Sequence, residues 1–128
     1  MSRPSSGYEE AEDLRAELLA CPQETRMARL REDPRFLNPK LSELLVEACQ
    51  AALPFEPRHA FFLAVLVAEL CRLLAENVVE PEVEVLCRAL YLGNCACRLL
   101  GQHEAAEGIL EIWASLLAAK IFRIVTSL

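Results

Sequence analysis

The segment Ala89–Ala114, ALYLGNCACRLLGQHEAAEGILEIWA, reads as two short helices folded back on one another. Leu92, Gly93 and Asn94 fall in the first helix, Gly101 breaks the chain, and Ala105 and Ala106 fall in the second. Small residues at those positions let two helix axes approach toward the near end of the usual ~8–10 Å range. Glycine inside a helix costs roughly 0.5–1 kcal/mol relative to alanine. The placement of Gly93 therefore predicts close packing against a neighbouring helix that compensates for it. Gly101 is expected to close the first helix as a left-handed cap.

Upstream of this pair, the strongest start signal is Asn38-Pro39, an N-cap residue followed by a proline suited to the first helical position. From there Leu41, Leu44, Leu45, Ala48, Cys49, Ala52 and Leu53 recur at three- and four-residue intervals, with Glu43, Glu47 and Gln50 opposite. That pattern is an amphipathic helix packed on one side. Pro54 and Pro57 bracket a tight connection. The next helix, from about Arg58 to Asn77, is apolar almost all round; its polar stripe of Glu69, Arg72 and Glu76 is confined to the second half. A helix of that kind belongs in the middle of a pack.

Two shorter helices precede these, Tyr8–Cys21 and Gln23–Glu32, separated by Cys21-Pro22 and ended by Pro34. A fifth spans Pro81–Leu100, where Glu84 and Arg88 stand in the favourable order for a surface pair. A sixth would turn Ile109, Leu110, Ile112, Trp113, Leu116 and Leu117 inward and Glu104, Glu107 and Glu111 outward. Residues 1–7 read as a loose tail and residues 8–128 as one helical domain. The ending Lys120–Leu128 has no clear pattern.

Composition agrees with an all-α chain. Of 128 residues, 54% are hydrophobic but only 6% are aromatic, and leucine and alanine dominate. The net charge of −6 argues against broad contact with a phosphate backbone. One basic run, Arg26, Arg29, Arg31 and Arg35, is the exception. It is either a solvated face balanced by Glu24, Glu32 and Asp33 or a contact surface for nucleic acid. The polar N-terminus carries no secretory signal, and the most apolar stretch, Ala60–Ala68, is too short to span a bilayer. A cytoplasmic protein without a membrane span is expected, with peripheral membrane association through Phe61–Leu74 as an alternative.

Nothing in the sequence builds a reaction centre. Cys49, Cys71 and Cys87 stand at core positions of helices, where free cysteine acts as a small hydrophobe. Cys95 and Cys97 point roughly 200° apart on a helix, so they cannot share a tetrahedral ion. All six thiols are expected to be buried filler. His59 and His103 sit at helix starts, and nothing orients either imidazole toward a thiol. The glycines at 7, 93, 101 and 108 are scattered and make no phosphate loop. No metal, cofactor or catalytic residue is expected.

The Leu92-Gly93 pair, the turn glycine Gly101 and Ala105-Ala106 together resemble a tetratricopeptide repeat, over about residues 81–118. Two features depart from that family. The first helix is one residue longer before the turn glycine, and Trp113 replaces a small alanine. Residues 33–76 loosely resemble degenerate hairpin segments that precede such repeats in bacterial proteins. The resemblance implies antiparallel helical hairpins stacked as a short array of five to six helices, binding a protein or peptide without catalysis. In that family the groove is lined mainly by the first helix of each hairpin. The implied partner-binding positions are therefore Glu84, Arg88, Tyr91, Asn94 and Arg98. Separately, Trp113, Leu116, Ile121 and Phe122 would form an apolar patch at the end of such a stack, which points to a homodimer through the C-terminal helix.

Overall fold

Asn38 and Pro39 do locally what their chemistry requires. The Asn38 carboxamide oxygen accepts from the backbone N–H of Lys40 at 2.9 Å, with extended backbone at Asn38 and helix from Pro39 onward. In the computed structural model, which describes residues 7–77, 83–101 and 111, this start opens the third of five helices. They are α1 (Gly7–Ala20), α2 (Gln23–Glu32), α3 (Pro39–Ala52), α4 (Pro57–Glu76) and α5 (Val83–Leu99), with a 3-10 turn at Pro34–Phe36 before α3. The described residues are all helix, turn and connection, and the helices pack directly on one another.

Each boundary has a local cause. Cys21-Pro22 stops α1, and Arg26 reaches back from α2 to satisfy its free carbonyls. Its Nε donates to the Cys21 carbonyl at 3.1 Å and its Nη2 to that of Leu19 at 2.9 Å. Asp33 ends α2 and caps the 3-10 turn, accepting from the Arg35 N–H. Pro57 opens α4, and Asn77 closes it by donating from Nδ2 to the Leu73 carbonyl at 2.8 Å. Gly101 follows α5 with φ +74°, the left-handed geometry expected of a closing glycine.

The core gathers where α3 and α4 meet their neighbours. Leu41, Leu45, Leu63, Leu70 and Leu74 are fully buried, joined by Leu18 of α1, Leu30 of α2 and Phe36 of the 3-10 turn. Phe36, the largest fully buried side chain among the described residues, plugs the core from a segment that carries no helical periodicity. The buried surface of α3 is wider than one stripe. Ser42 and Val46 are also fully enclosed, because α3 touches α1, α4 and α5 together. The Ser42 hydroxyl is satisfied by donating to the Pro39 carbonyl at 2.6 Å.

Contacts arrange the helices in two rows. One row is α1, α3 and α5, in which α3 touches both others; the second is α2 and α4. The rows join through α1–α2, α3–α4 and α4–α5 packing. A four-residue connection between α3 and α4, which pack extensively, leaves an antiparallel hairpin as their arrangement. Gly93 is buried in α5. The expected sixth helix, with Trp113, Leu116, Ile121 and Phe122, lies outside the described residues, as do Pro81 and the tail at 1–6. Glu111 alone of that segment is described, and it is helical and exposed.

Two substitutions separate core from surface. Leu63→Ala is expected to lower the unfolding free energy by roughly 2–5 kcal/mol, as for a fully buried leucine. Phe55→Ala, at an 84% exposed position in the α3–α4 connection, should stay within about 0.5 kcal/mol. Urea unfolding followed by circular dichroism measures both; equal effects would contradict this packing.

Candidate functional site

The row of α1, α3 and α5 offers one continuous outer face, built from the polar sides of the three helices. At 100° per residue, Glu84, Arg88, Tyr91, Cys95 and Arg98 of α5 fall within a sector of about 80°. Glu84 and Arg98 are exposed, and Tyr91 is 65% exposed, unusual for so large a ring. Hydrogen bonding with the Cys95 thiol, one turn away, raises the Tyr91 pKa above its ordinary value of 10.0.

Cross-helix hydrogen bonds tie this face together. Arg88 Nη2 donates to Gln50 Oε1 at 2.7 Å, joining α5 to α3. Tyr8 donates from its hydroxyl to Glu43 Oε2 at 2.6 Å, joining α1 to α3. The Lys40 ammonium lies 4.8 Å from the centroid of the Tyr8 ring, within cation–π range. The Glu43 bond raises the Tyr8 pKa, because ionising the phenol would place a second negative charge beside the carboxylate.

The structure brings four of the five sequence-predicted positions onto this face and sets the fifth at its margin. Asn94 is half-buried, whereas Glu84, Tyr91 and Arg98 are exposed, because it sits about 80° round the helix from Glu84. Its Oδ1 is buried and accepts no hydrogen bond. Arg88 is half-buried and turned to Gln50, so it does not make the surface pair with Glu84 that spacing along the helix suggested. Sequence reasoning missed Tyr8, Lys40, Glu43 and Gln50. Of these, Glu43 and Gln50 were visible as the polar side of α3, but the helices they meet were not.

The cysteines divide by environment. Cys49, Cys71 and Cys97 are buried, Cys21 and Cys95 are half-buried, and none of the six is in a disulfide. Cys87 is exposed beside Tyr91 on the outer face, which corrects its expected place in the core. It lies on the solvent side of α5 because its neighbours Val85, Leu86 and Ala89 occupy the buried side. Among the described residues, no three of His, Cys, Asp and Glu come together as metal ligands would.

The arginine run has structural partners throughout. Arg26 holds the end of α1, Arg29 lies 3.8 Å from Glu17, and Arg35 pairs with both Asp33 and Glu17 at 2.7 Å. Arg31 reaches from α2 to Glu69 of α4 at 2.6 Å, where Arg72 also binds at 2.7 Å. Arg72 extends the chain of charges to Glu76. The hydrogen bond from Arg72, with that from Arg31, holds the Glu69 carboxyl below its ordinary pKa of 4.5. Asp33 is lowered in the same way by Arg35.

Two measurements check this arrangement. Cys87 is expected to react first with a thiol reagent at neutral pH. Cys49, whose thiol burial pushes up to about 11, should react only on unfolding. For the ion network, a depressed carboxyl stabilises above its unfolded pKa and loses that effect as pH falls through the folded value. The stability gap between the natural chain and Glu69→Gln should therefore be full at neutral pH and close below about pH 4.5. A gap unchanged in acid would show that Glu69 acts only through packing. No family model, curated protein or solved structure matches this chain.

Proposed function

We propose that this protein is a non-catalytic adaptor of tetratricopeptide-like build that binds a protein or peptide on the outer face of α1, α3 and α5. The observation that carries the reading is the two-row arrangement, with α1, α3 and α5 side by side and α2 and α4 in the second row. Stacked helical hairpins generate such rows, and the row of first helices makes a binding groove in that architecture. The buried Gly93 and the left-handed Gly101 agree with the hairpin signature.

The chemistry of the face supports protein recognition. An exposed tyrosine with few rotatable bonds, flanked by Glu84 and Arg98, offers apolar area and both charge signs. Cross-helix bonds from Arg88 and Tyr8 hold the face in shape before any partner arrives, which reduces the ordering cost of binding. A cytoplasmic, bacterial-type setting belongs to the same reading; six cysteines without a disulfide fit a reducing compartment. No helix among the described residues is long and apolar enough to cross a membrane. Self-association through Trp113, Leu116, Ile121 and Phe122 belongs to the same proposal. Nucleic-acid contact through Arg26–Arg35 is less well supported, because those guanidinium groups already engage α1, α4 and nearby carboxylates.

The test is a photo-crosslinking amino acid placed at Tyr91 in the source cell, followed by identification of the adduct. The expected result is one dominant protein adduct. The double change Tyr91→Ala, Arg98→Glu, made beside a crosslinker at Glu47, should reduce that adduct about tenfold with unchanged thermal unfolding. An adduct insensitive to the double change, or crosslinking to nucleic acid alone, would overturn the reading. Light scattering at micromolar concentration checks the dimer; a monomer would end that part.

A further inference from the structure

A second surface, on the other row, carries chemistry that the α1–α3–α5 face does not use. Between α2 and α4 lies an open groove of about 650 Å³. Its floor is apolar, made by Met27 of α2 and by Phe62, Val65 and Leu66 of α4. Phe62, Val65 and Leu66 stand three and four residues apart, so they form one stripe along α4. Met27, Phe62 and Val65 are only half-buried. The stripe therefore remains partly wet, whereas Leu63, Leu70 and Leu74 of the same helix are fully buried.

The charge at this groove opposes that of the whole chain. Two guanidinium groups, Arg26 and Arg58, line it against one carboxylate, Glu24, whereas the chain carries −6. Arg58 is exposed and makes no ion pair among the described residues. Arg26 spends Nε and Nη2 on the carbonyls that end α1, and its Nη1 is buried without an acceptor. Of the arginines at positions 26, 29, 31 and 35, Arg26 is the one that forms no ion pair among the described residues.

We propose that this groove is a second docking site and that its occupant is an amphipathic helix of a partner protein, with a carboxylate flanking its apolar side. A helix laid between two helices meets the Phe62–Val65–Leu66 stripe with residues at i, i+3 or i+4, and i+7. Its carboxylate lies against Arg58, in the positive field that Arg26 sustains. A second copy of this chain is a poorer occupant. Its acidic helix α1, with Glu9, Glu10, Glu12 and Asp13, already buries Ala11, Leu14 and Leu18 in its own core. The site is distinct from the α1–α3–α5 face and does not depend on it.

The test is selection of a phage-displayed library of random 16-residue peptides on the full chain, then fluorescence anisotropy with the synthesised consensus peptide. Enriched sequences should place apolar residues at helical spacing beside Asp or Glu. Arg58→Glu and Val65→Lys should each weaken the consensus peptide about tenfold, and added salt should weaken it further. Tyr91→Ala should leave it unchanged, which separates this site from the first. Arg58 is exposed, so Arg58→Glu keeps the test valid even where Val65→Lys unfolds the chain. The proposal is overturned by any of four outcomes. These are absence of enrichment, basic consensus peptides, affinity indifferent to Arg58→Glu, or a concentration-dependent dimer abolished by that change. Binding of phosphatidylserine vesicles through Arg58 in place of any peptide would overturn it as well.

Discussion

The constraint on which the architecture depends is the apolar circumference of α4. Nine of its residues, from Ala60 to Leu74, are buried, and they lie on more than one side of the helix. Each large side chain among them contributes roughly 1.5–3 kcal/mol only when water is removed from it. One partner helix covers one side of a cylinder, so α4 needs several. It touches α2, α3 and α5. Three helices around a central one cannot lie in a single layer, and the two-row arrangement follows. The outer face of α1, α3 and α5 is what remains of their surfaces once α4 and their mutual contacts are covered.

Charge works within that frame as a set of struts. An exposed ion pair adds only about 0–1 kcal/mol to stability. Its larger effect here is on register: Arg31 fixes α2 against Glu69 of α4, and Arg26 fixes α2 against the end of α1. Helix α2 buries one residue, Leu30, so apolar packing alone holds it weakly. The same weak coverage leaves Met27 and Phe62 half-wet and opens the groove between α2 and α4. A helix held by its rim charges rather than by its apolar side is the reason a second surface exists.

The cysteines report how far composition can be trusted. Cys49 donates from Sγ to the Ala60 carbonyl at 3.1 Å across the α3–α4 contact, and burial raises its pKa. Cys97 is fully enclosed, and burial raises its pKa as well. Both behave as small hydrophobes. Cys87, two turns before Cys95 on the solvent side of the same helix, does not. Residue type was the same in each case. The angle around the helix decided the environment, and that angle has meaning only once the buried side of α5 is known.

Helix identity was legible in the sequence because its causes are local. Proline at 22, 39 and 57 and glycine at 101 act through their own backbone chemistry, asparagine at 38 through its side-chain cap, and the boundaries of α2, α3 and α4 fall within a residue of where those signals stand. The all-round apolar pattern of α4 likewise announced a central helix. What the sequence could not supply was which polar side faces which neighbour. Glu43 and Gln50 look like ordinary solvated residues until α1 and α5 arrive beside α3 and bond to them. Phe36 has no periodicity to mark it as core, Asn94 is half-buried where an exposed position was expected, and Cys87 is exposed where a core position was expected. Short-range signals specify elements. Shared faces arise between residues 35 or 38 positions apart, where only the packing of α4 against its neighbours determines who meets whom.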